Sequence, residues 1–175
     1  IWQFTSRTPQ PASFIPKLGD TGVFVLKVKC QDAMAMLKMQ KARGLDVNGQ
    51  VKQRSDGSSH YYMDDPHGFW FEVVESKEWF GPSDYGGGVG GAVIGVSDID
   101  RAIKLYGGVL GYDHVVQDDT KVFEEWIDLP GGTERYRRVI LKRSEASKGP
   151  FSELLGSGEL ELVQALDREP KAIYS

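Results

Sequence analysis

The pattern of apolar positions predicts the same series of elements twice along the chain. Strands are indicated by β-branched and aromatic runs or by period-two alternation, and helices by apolar residues three and four positions apart. The first series has a strand at 22–29, a helix at 32–43 and strands near 47–53, 59–63 and 69–75. The second has the same order with one additional strand segment: a strand at 89–96, a helix at 98–110 and segments near 112–117, 121–128, 134–142 and 159–164. The predicted fold class is α+β, with two tandem βαβββ modules.

The helix at 98–110 has the clearest periodic signal. One face carries six apolar residues at helical spacing: Ile99, Ala102, Ile103, Tyr106, Val109 and Leu110. Asp98 can accept hydrogen bonds from the first free amides, and Gly111 is a natural residue for the end of a helix. A single apolar face predicts that this helix packs on a sheet.

These elements divide the chain into two modules, at 22–76 and 89–164, with a Gly-rich linker at 77–88. We interpret residues 1–21 as the end of an upstream strand followed by a linker, and 165–175 as a C-terminal linker. Residues 1–9 align without gaps on 162–170, with Gln, Arg and Pro at matching positions. This repeat predicts that the chain is a window of a longer protein with several modules.

Composition narrows the classes of partner. Lys and Arg total 21 and Asp and Glu total 25, so the net charge is −4, which argues against a nucleic-acid partner. The sequence contains no apolar run near the roughly 20 residues of a membrane helix, which argues against a membrane partner. One cysteine, Cys30, suits a reducing compartment, and we therefore predict a cytoplasmic protein.

The Gly-rich segment 86–91 formally contains the G-x-G-x-x-G pattern of dinucleotide-binding loops. That motif needs a preceding strand and a following helix, whereas this segment follows a linker and leads into a strand. We therefore interpret it as part of a connector. The three histidines, His60, His67 and His114, have no metal-binding spacing.

The last strand of each module carries the best candidate site residues. Trp70, Glu72 and Val74 share one face of the first, and Glu159, Glu161 and Val163 share one face of the second. An inward carboxylate opposite an apolar face needs a metal, a cation or a proton-transfer task. The alternative is that both carboxylates lie on a solvated face of the sheet.

Three segments resemble the vicinal oxygen chelate superfamily, which includes glyoxalase I, bleomycin-resistance proteins and extradiol dioxygenases. Residues 96–112 resemble its helix signature, 63–72 its D-P-x-G-n-x-i-E-l signature, and 158–163 its last strand. The resemblance covers about residues 22–166. The pair Gly107-Gly108 departs from the usual polar residues of the helix.

This resemblance implies that the curled sheets of two modules form an open barrel around a cavity. Family metal ligands are a His or Gln on each first strand and a Glu on the last strands. Glu72 and Glu161 match the carboxylate positions, but Val23 (or Val25 in a shifted register) and Gly91 stand at the first-strand positions. A divalent metal is therefore a hypothesis for the full-length protein, and none is expected from these residues alone. Trp70, Glu159 and Val163 are the predicted substrate-binding residues.

Two hypotheses for the function follow. The first is an enzyme with a small-molecule cavity, whose metal-dependent lyase, isomerase or dioxygenase chemistry needs modules outside these residues. The second is a metal-free small-molecule-binding or structural module pair that has lost its first-strand ligands. The expected partners are a small-molecule ligand and either further modules of the same chain or a homodimer mate. The end-to-end repeat favours pairing of each module with one outside the window, which would place Glu72 and Glu161 far apart.

Overall fold

A computed structural model describes residues 5–6, 13–47, 49–78, 84–146, 148–150, 152 and 156–173. The first module contains β1 (Gly22–Cys30), α1 (Ala33–Ala42), β2 (Lys52–Gln53), β3 (Ser59–Asp64) and β4 (Trp70–Glu75). The second contains β5 (Gly86–Gly95), α2 (Ile99–Leu110), β6 (His114–Lys121), β7 (Tyr136–Lys142) and β8 (Glu159–Ala165). The predicted βαβββ order is therefore confirmed in both modules.

All eight strands form one mixed sheet in the order β2-β3-β4-β1-β5-β8-β7-β6. Each half has the same internal order, and the two first strands, β1 and β5, join the halves through antiparallel pairing. Each first strand also pairs in parallel with the last strand of its own module. The α+β fold class is confirmed. The expected pairing of each module with one outside the window is wrong, because the backbone edges of β1 and β5 pair with each other.

Both helices pack on the convex face of this curled sheet, at equivalent places. The helix α1 begins where the Asp32 side chain accepts a hydrogen bond from the Ala35 amide at 2.8 Å, and α2 begins where Asp98 accepts one from the Arg101 amide at 2.9 Å. Gly111, with φ of 72°, ends α2 in the left-handed conformation expected of a glycine. Each helix packs the buried part of its apolar face against the last two strands of its own module. Val109 and Leu110, in the last turn of α2, are exposed, so the predicted packing is wrong at these two positions.

The concave face has an apolar half, which a loop covers. The sequence pattern predicts a strand at 121–128, but this prediction is wrong beyond Lys121, where β6 ends. A 3₁₀ turn at Glu124–Trp126 follows, and Phe123, Trp126 and Leu129 are buried against the sheet. Their spacing of three residues fits the three-residue repeat of a 3₁₀ turn, so the loop inserts all three side chains into the concavity.

Two further boundaries differ from the predictions. The strand β5 begins at Gly86, so residues 86–88 belong to a strand rather than to a connector, and β2 has only two residues. Residues 1–4 and 7–9 of the end-to-end repeat lie outside the described residues, and the repeat stays a prediction. Within the described ranges, no helix is long and apolar enough to cross a membrane.

We predict that Trp126→Ala lowers the free energy of unfolding by about 3–5 kcal/mol, since a fully buried Trp would leave a cavity under the loop. Val122→Ala, at a side chain that is 52% exposed in the same segment, is the matched control and should change it by less than about 0.5 kcal/mol. Urea unfolding measures both. Equal effects of the two substitutions would show that the loop does not close the core.

Candidate functional site

A lysine lies at the centre of the concave face, where the two modules meet. Lys27 is on β1, two residues beyond the core residue Val25, and its side chain is completely buried. Its Nζ atom contacts Glu159 Oε1 at 2.6 Å, Glu72 Oε2 at 3.2 Å and also Glu161 Oε2. The ammonium group is therefore shared by carboxylates of both modules.

The register of the sheet explains this convergence. Lys27 pairs with Glu72 on β4 and with Gly91 on β5, and Gly91 pairs with Glu159 on β8. All these positions face the concave side, so a long side chain on β1 reaches the last strands of both modules. The expectation that Glu72 and Glu161 lie far apart is therefore wrong, because both carboxylates contact one Nζ atom.

Two arginines and a histidine surround these groups. Arg54 lies 2.5 Å from Glu159 and 4.0 Å from Glu72, and Arg138 lies 2.5 Å from Glu161 and 2.5 Å from Glu125. His60 Nδ1 lies 2.7 Å from Glu72 Oε1. We call the following set the ionic cluster: Lys27, Arg54, Arg138, Glu72, Glu159 and Glu161. Its three cations balance its three carboxylates.

The pKa directions of Lys27, Glu72 and Glu159 favour the ionised form of each of these three groups at neutral pH. Burial raises the pKa of the Glu72 carboxyl, but the Lys27 charge, the His60 hydrogen bond and Arg54 outweigh burial and hold it below its usual value. The pKa of Glu159 is lowered against burial by Lys27 and Arg54. Burial lowers the pKa of Lys27, but Glu161, Glu72 and Glu159 together raise it above the usual value of lysine. Each charge is thus stabilised by its buried partners.

The resemblance implies a divalent metal here, and the residues do not fit one. The Val25 side chain has no atom that can coordinate a metal ion, and it lies in the apolar core. Gly91 has φ of 139°, and a Cβ atom there would lie 1.8 Å from the Glu159 carbonyl oxygen, which leaves no space for a ligand side chain. The Lys27 ammonium already contacts the carboxylates that would bind the ion. In the described part of the chain, no three His, Cys, Asp or Glu side chains form a group that could hold a metal.

The register also distinguishes between Val23 and Val25. Glu72 pairs with Lys27 on β1, and Glu161 pairs with Val93 on β5, so Lys27 and Val93 occupy equivalent places. Two residues earlier on each strand, Val25 is then equivalent to Gly91. The shifted register is therefore the one that the structure supports.

The predicted substrate-binding residues lie in three different environments. Trp70 lines a cleft of about 440 Å³ at the edge of the first module, together with His60 and Tyr62. Glu159 is part of the ionic cluster and lines a smaller pocket of about 110 Å³. Val163 is completely buried in the apolar core. Their role in binding a substrate stays a prediction.

The cations that surround the glutamates were not predicted from the sequence. Lys27 had a usable signal, because a lysine in the middle of a β-branched strand needs a buried acidic partner. Arg54 lies in a loop, and His60 is in a strand whose pairing the sequence does not specify. Arg138 belongs to a basic stretch that also includes Arg135 and Arg137, whose side chains are far more exposed.

No family model matches the chain. The chain is 27% identical over 125 residues to the lactoylglutathione lyase GLX1 of Arabidopsis thaliana, a match that covers 70% of this chain and 41% of the relative. A candidate dioxygenase from Bacillus subtilis has the same fold, with a TM-score of 0.56, 19% identity and coverage of 87% of this chain and 44% of the other. Glyoxalase I from Zea mays aligns with a TM-score of 0.52, 16% identity and coverage of 87% and 46%.

The shared fold and the glyoxalase relative support the assignment of the chain to the vicinal oxygen chelate superfamily. The chain spans about two fifths of the length of the curated relative that it matches.

We predict that Lys27→Met lowers the free energy of unfolding at pH 7 by about 3–5 kcal/mol, because it leaves buried carboxylates without their shared cation. The free energies of unfolding of the native chain and of Lys27→Met should also change in opposite directions as the pH falls. The depressed pKa values of Glu72 and Glu159 stabilise the native chain above the unfolded-state pKa, and this contribution is lost as pH falls through the folded values.

In Lys27→Met the buried carboxylates of Glu72 and Glu159 lose their shared cation, so their pKa values should rise and lowering the pH from 7 to about 5 should stabilise the variant. Urea unfolding at several pH values measures how the free energy of unfolding changes with pH in both proteins. Lys38→Met, at an exposed position of α1, is the control and should behave as the native chain. Parallel pH slopes for Lys27→Met and the native chain would contradict the assignment of Lys27 to this cluster.

Proposed function

We propose that this chain is a metal-independent module pair that serves as a structural unit of a longer glyoxalase-related protein. The observation that carries the proposal is the buried Lys27 ammonium between Glu72, Glu159 and Glu161. In this proposal the lysine supplies the positive charge that a divalent ion supplies in metal-dependent family members. Catalysis at this position is not part of the proposed role.

Charge balance supports the proposal. The ionic cluster is neutral, and its central residues are almost completely buried. A divalent cation would add two uncompensated charges in a region of low dielectric, unless Lys27 moved out or lost its proton. The raised pKa of Lys27 opposes loss of that proton.

The ion pairs connect the two modules, which supports a structural role. Lys27 and Arg54 belong to the first module, and both contact Glu159 of the second. These contacts run across the β1–β5 boundary, where the backbones of the two modules already pair. The cluster thus holds the two halves of the sheet in one relative position, a specificity that buried ionic groups provide in some proteins.

The competing hypothesis is that these residues form a metal-dependent catalytic site. Calorimetric titration of the 175-residue chain with zinc, nickel, manganese and iron(II) separates the two. We use His67→Ala/His114→Ala as the background, since both histidines are exposed and could bind metals at the surface. We predict no stoichiometric binding, and an unfolding midpoint that EDTA does not change.

Stoichiometric binding of any of these metals that is lost in Glu72→Gln would overturn the proposal. Such a result would mean that Lys27 leaves the carboxylates and that a ligand outside the family positions completes the site. An unfolding midpoint that falls on addition of EDTA would also overturn the proposal, because bound ligands stabilise the folded state by mass action.

A further inference from the structure

A second lysine on β1, Lys29, lacks the carboxylate contacts that surround Lys27. Lys29 follows two residues later on the same face of the strand and pairs with Val74 of β4. It is only 6% exposed. Among the described residues, its Nζ atom has no hydrogen-bond or ion-pair partner, whereas Lys27 Nζ contacts three carboxylates.

An ammonium group in this position is unfavourable without an anion. Burial lowers the pKa of Lys29, and the charge of Glu78 opposes this effect only in part. The Glu78 carboxylate accepts a hydrogen bond from the Ser157 amide at 3.1 Å. Buried charges in folded proteins are almost always paired. The Lys29 ammonium is therefore available to a negatively charged group that enters its surroundings.

The Lys29 side chain lines a pocket of about 110 Å³. A pocket of this volume has room for a group the size of one phosphate or carboxylate. The cationic and hydroxyl side chains around it are Lys29, Arg54, Lys142, Ser58, Ser76 and Ser157. Arg54 has five N–H donors, so its contacts to Glu159 and Glu72 leave donors for a further acceptor.

The acidic side chains that line the same pocket already have partners. Asp56 accepts from the Ser58 amide at 3.0 Å and from the Ser58 hydroxyl at 2.6 Å. Glu75 accepts from the amides of Ala33 and Ser59, and Glu159 contacts Lys27 and Arg54. Among the charged residues that line this pocket, Lys29 is therefore the one with neither a hydrogen bond nor an ion pair to the described residues.

We propose that the Lys29 pocket binds a small oxyanion, the phosphate or carboxylate group of a small molecule, with Lys29 Nζ as its charged donor. A larger cleft of about 390 Å³ shares Lys142, Ser157 and Gly158 with this pocket and provides space for the rest of such a molecule. The site is separate from the carboxylates that would bind a family metal. It shares Arg54 and Glu159 with the ionic cluster, but Lys29, its charged donor, lies outside that cluster.

The test is calorimetric titration of the full 175-residue chain with inorganic phosphate and, separately, with acetate, at constant ionic strength. We expect saturable one-site binding of at least one probe, and phosphate binding without acetate binding would identify a phosphate group as the ligand. Lys29→Met should weaken binding by about 10- to 100-fold, the loss expected for a charge-assisted hydrogen bond. The control Lys38→Met should bind as the native chain does.

A second readout separates a binding role from a structural one. In buffer free of oxyanions, Lys29→Met should unfold at the same temperature as the native chain or higher, because it removes an unpaired buried charge. Three results would each overturn the proposal: no saturable binding of either probe, equal affinity in Lys29→Met, or a lower unfolding temperature for Lys29→Met in that buffer. The last result includes failure of the variant to fold.

Discussion

The contact between the Lys27 ammonium and the carboxylates of Glu72, Glu159 and Glu161 determines how the concave face of this protein is organised. Three buried carboxylates at the junction of two modules would repel one another without a cation. Lys27 supplies one from within the chain, and Arg54 and Arg138 complete the charge balance. In the proposed function, this covalently attached positive charge takes the position that the family resemblance assigns to a metal ion.

The glycines of β5 make this arrangement sterically feasible. A Cβ atom at Gly90 would lie 3.3 Å from Lys27 Cβ, and one at Gly91 would overlap the Glu159 backbone. A side chain at either position would push β5 away from its neighbours. The Gly-rich strand therefore allows close packing beside Lys27, and the same property excludes a metal-binding side chain at Gly91.

Much of the fold could be predicted from the sequence, because it depends on local patterns. The apolar face of α2, with its Asp98 cap and Gly111 end, indicates the helix without tertiary information. The strand predicted at 121–128 was wrong because Phe123 and Trp126 suit a strand or a 3₁₀ turn equally. The concave surface on which these side chains pack exists only in the folded sheet. The orientation of Glu72 and Glu161 followed from strand alternation, but their shared partner did not. Lys27 contacts Glu159 and Glu161, which lie more than a hundred positions further along the chain, and no local pattern encodes such contacts.

The central claim is that the Lys27 side chain occupies the place between Glu72 and Glu161 that a metal ion would take. The most direct measurement is a crystal structure of the chain grown with excess manganese, with anomalous data that locate the metal. We predict continuous side-chain density for Lys27 up to the carboxylates and no anomalous peak between Glu72 and Glu161. An anomalous peak bound by both carboxylates, with Lys27 displaced, would contradict the account.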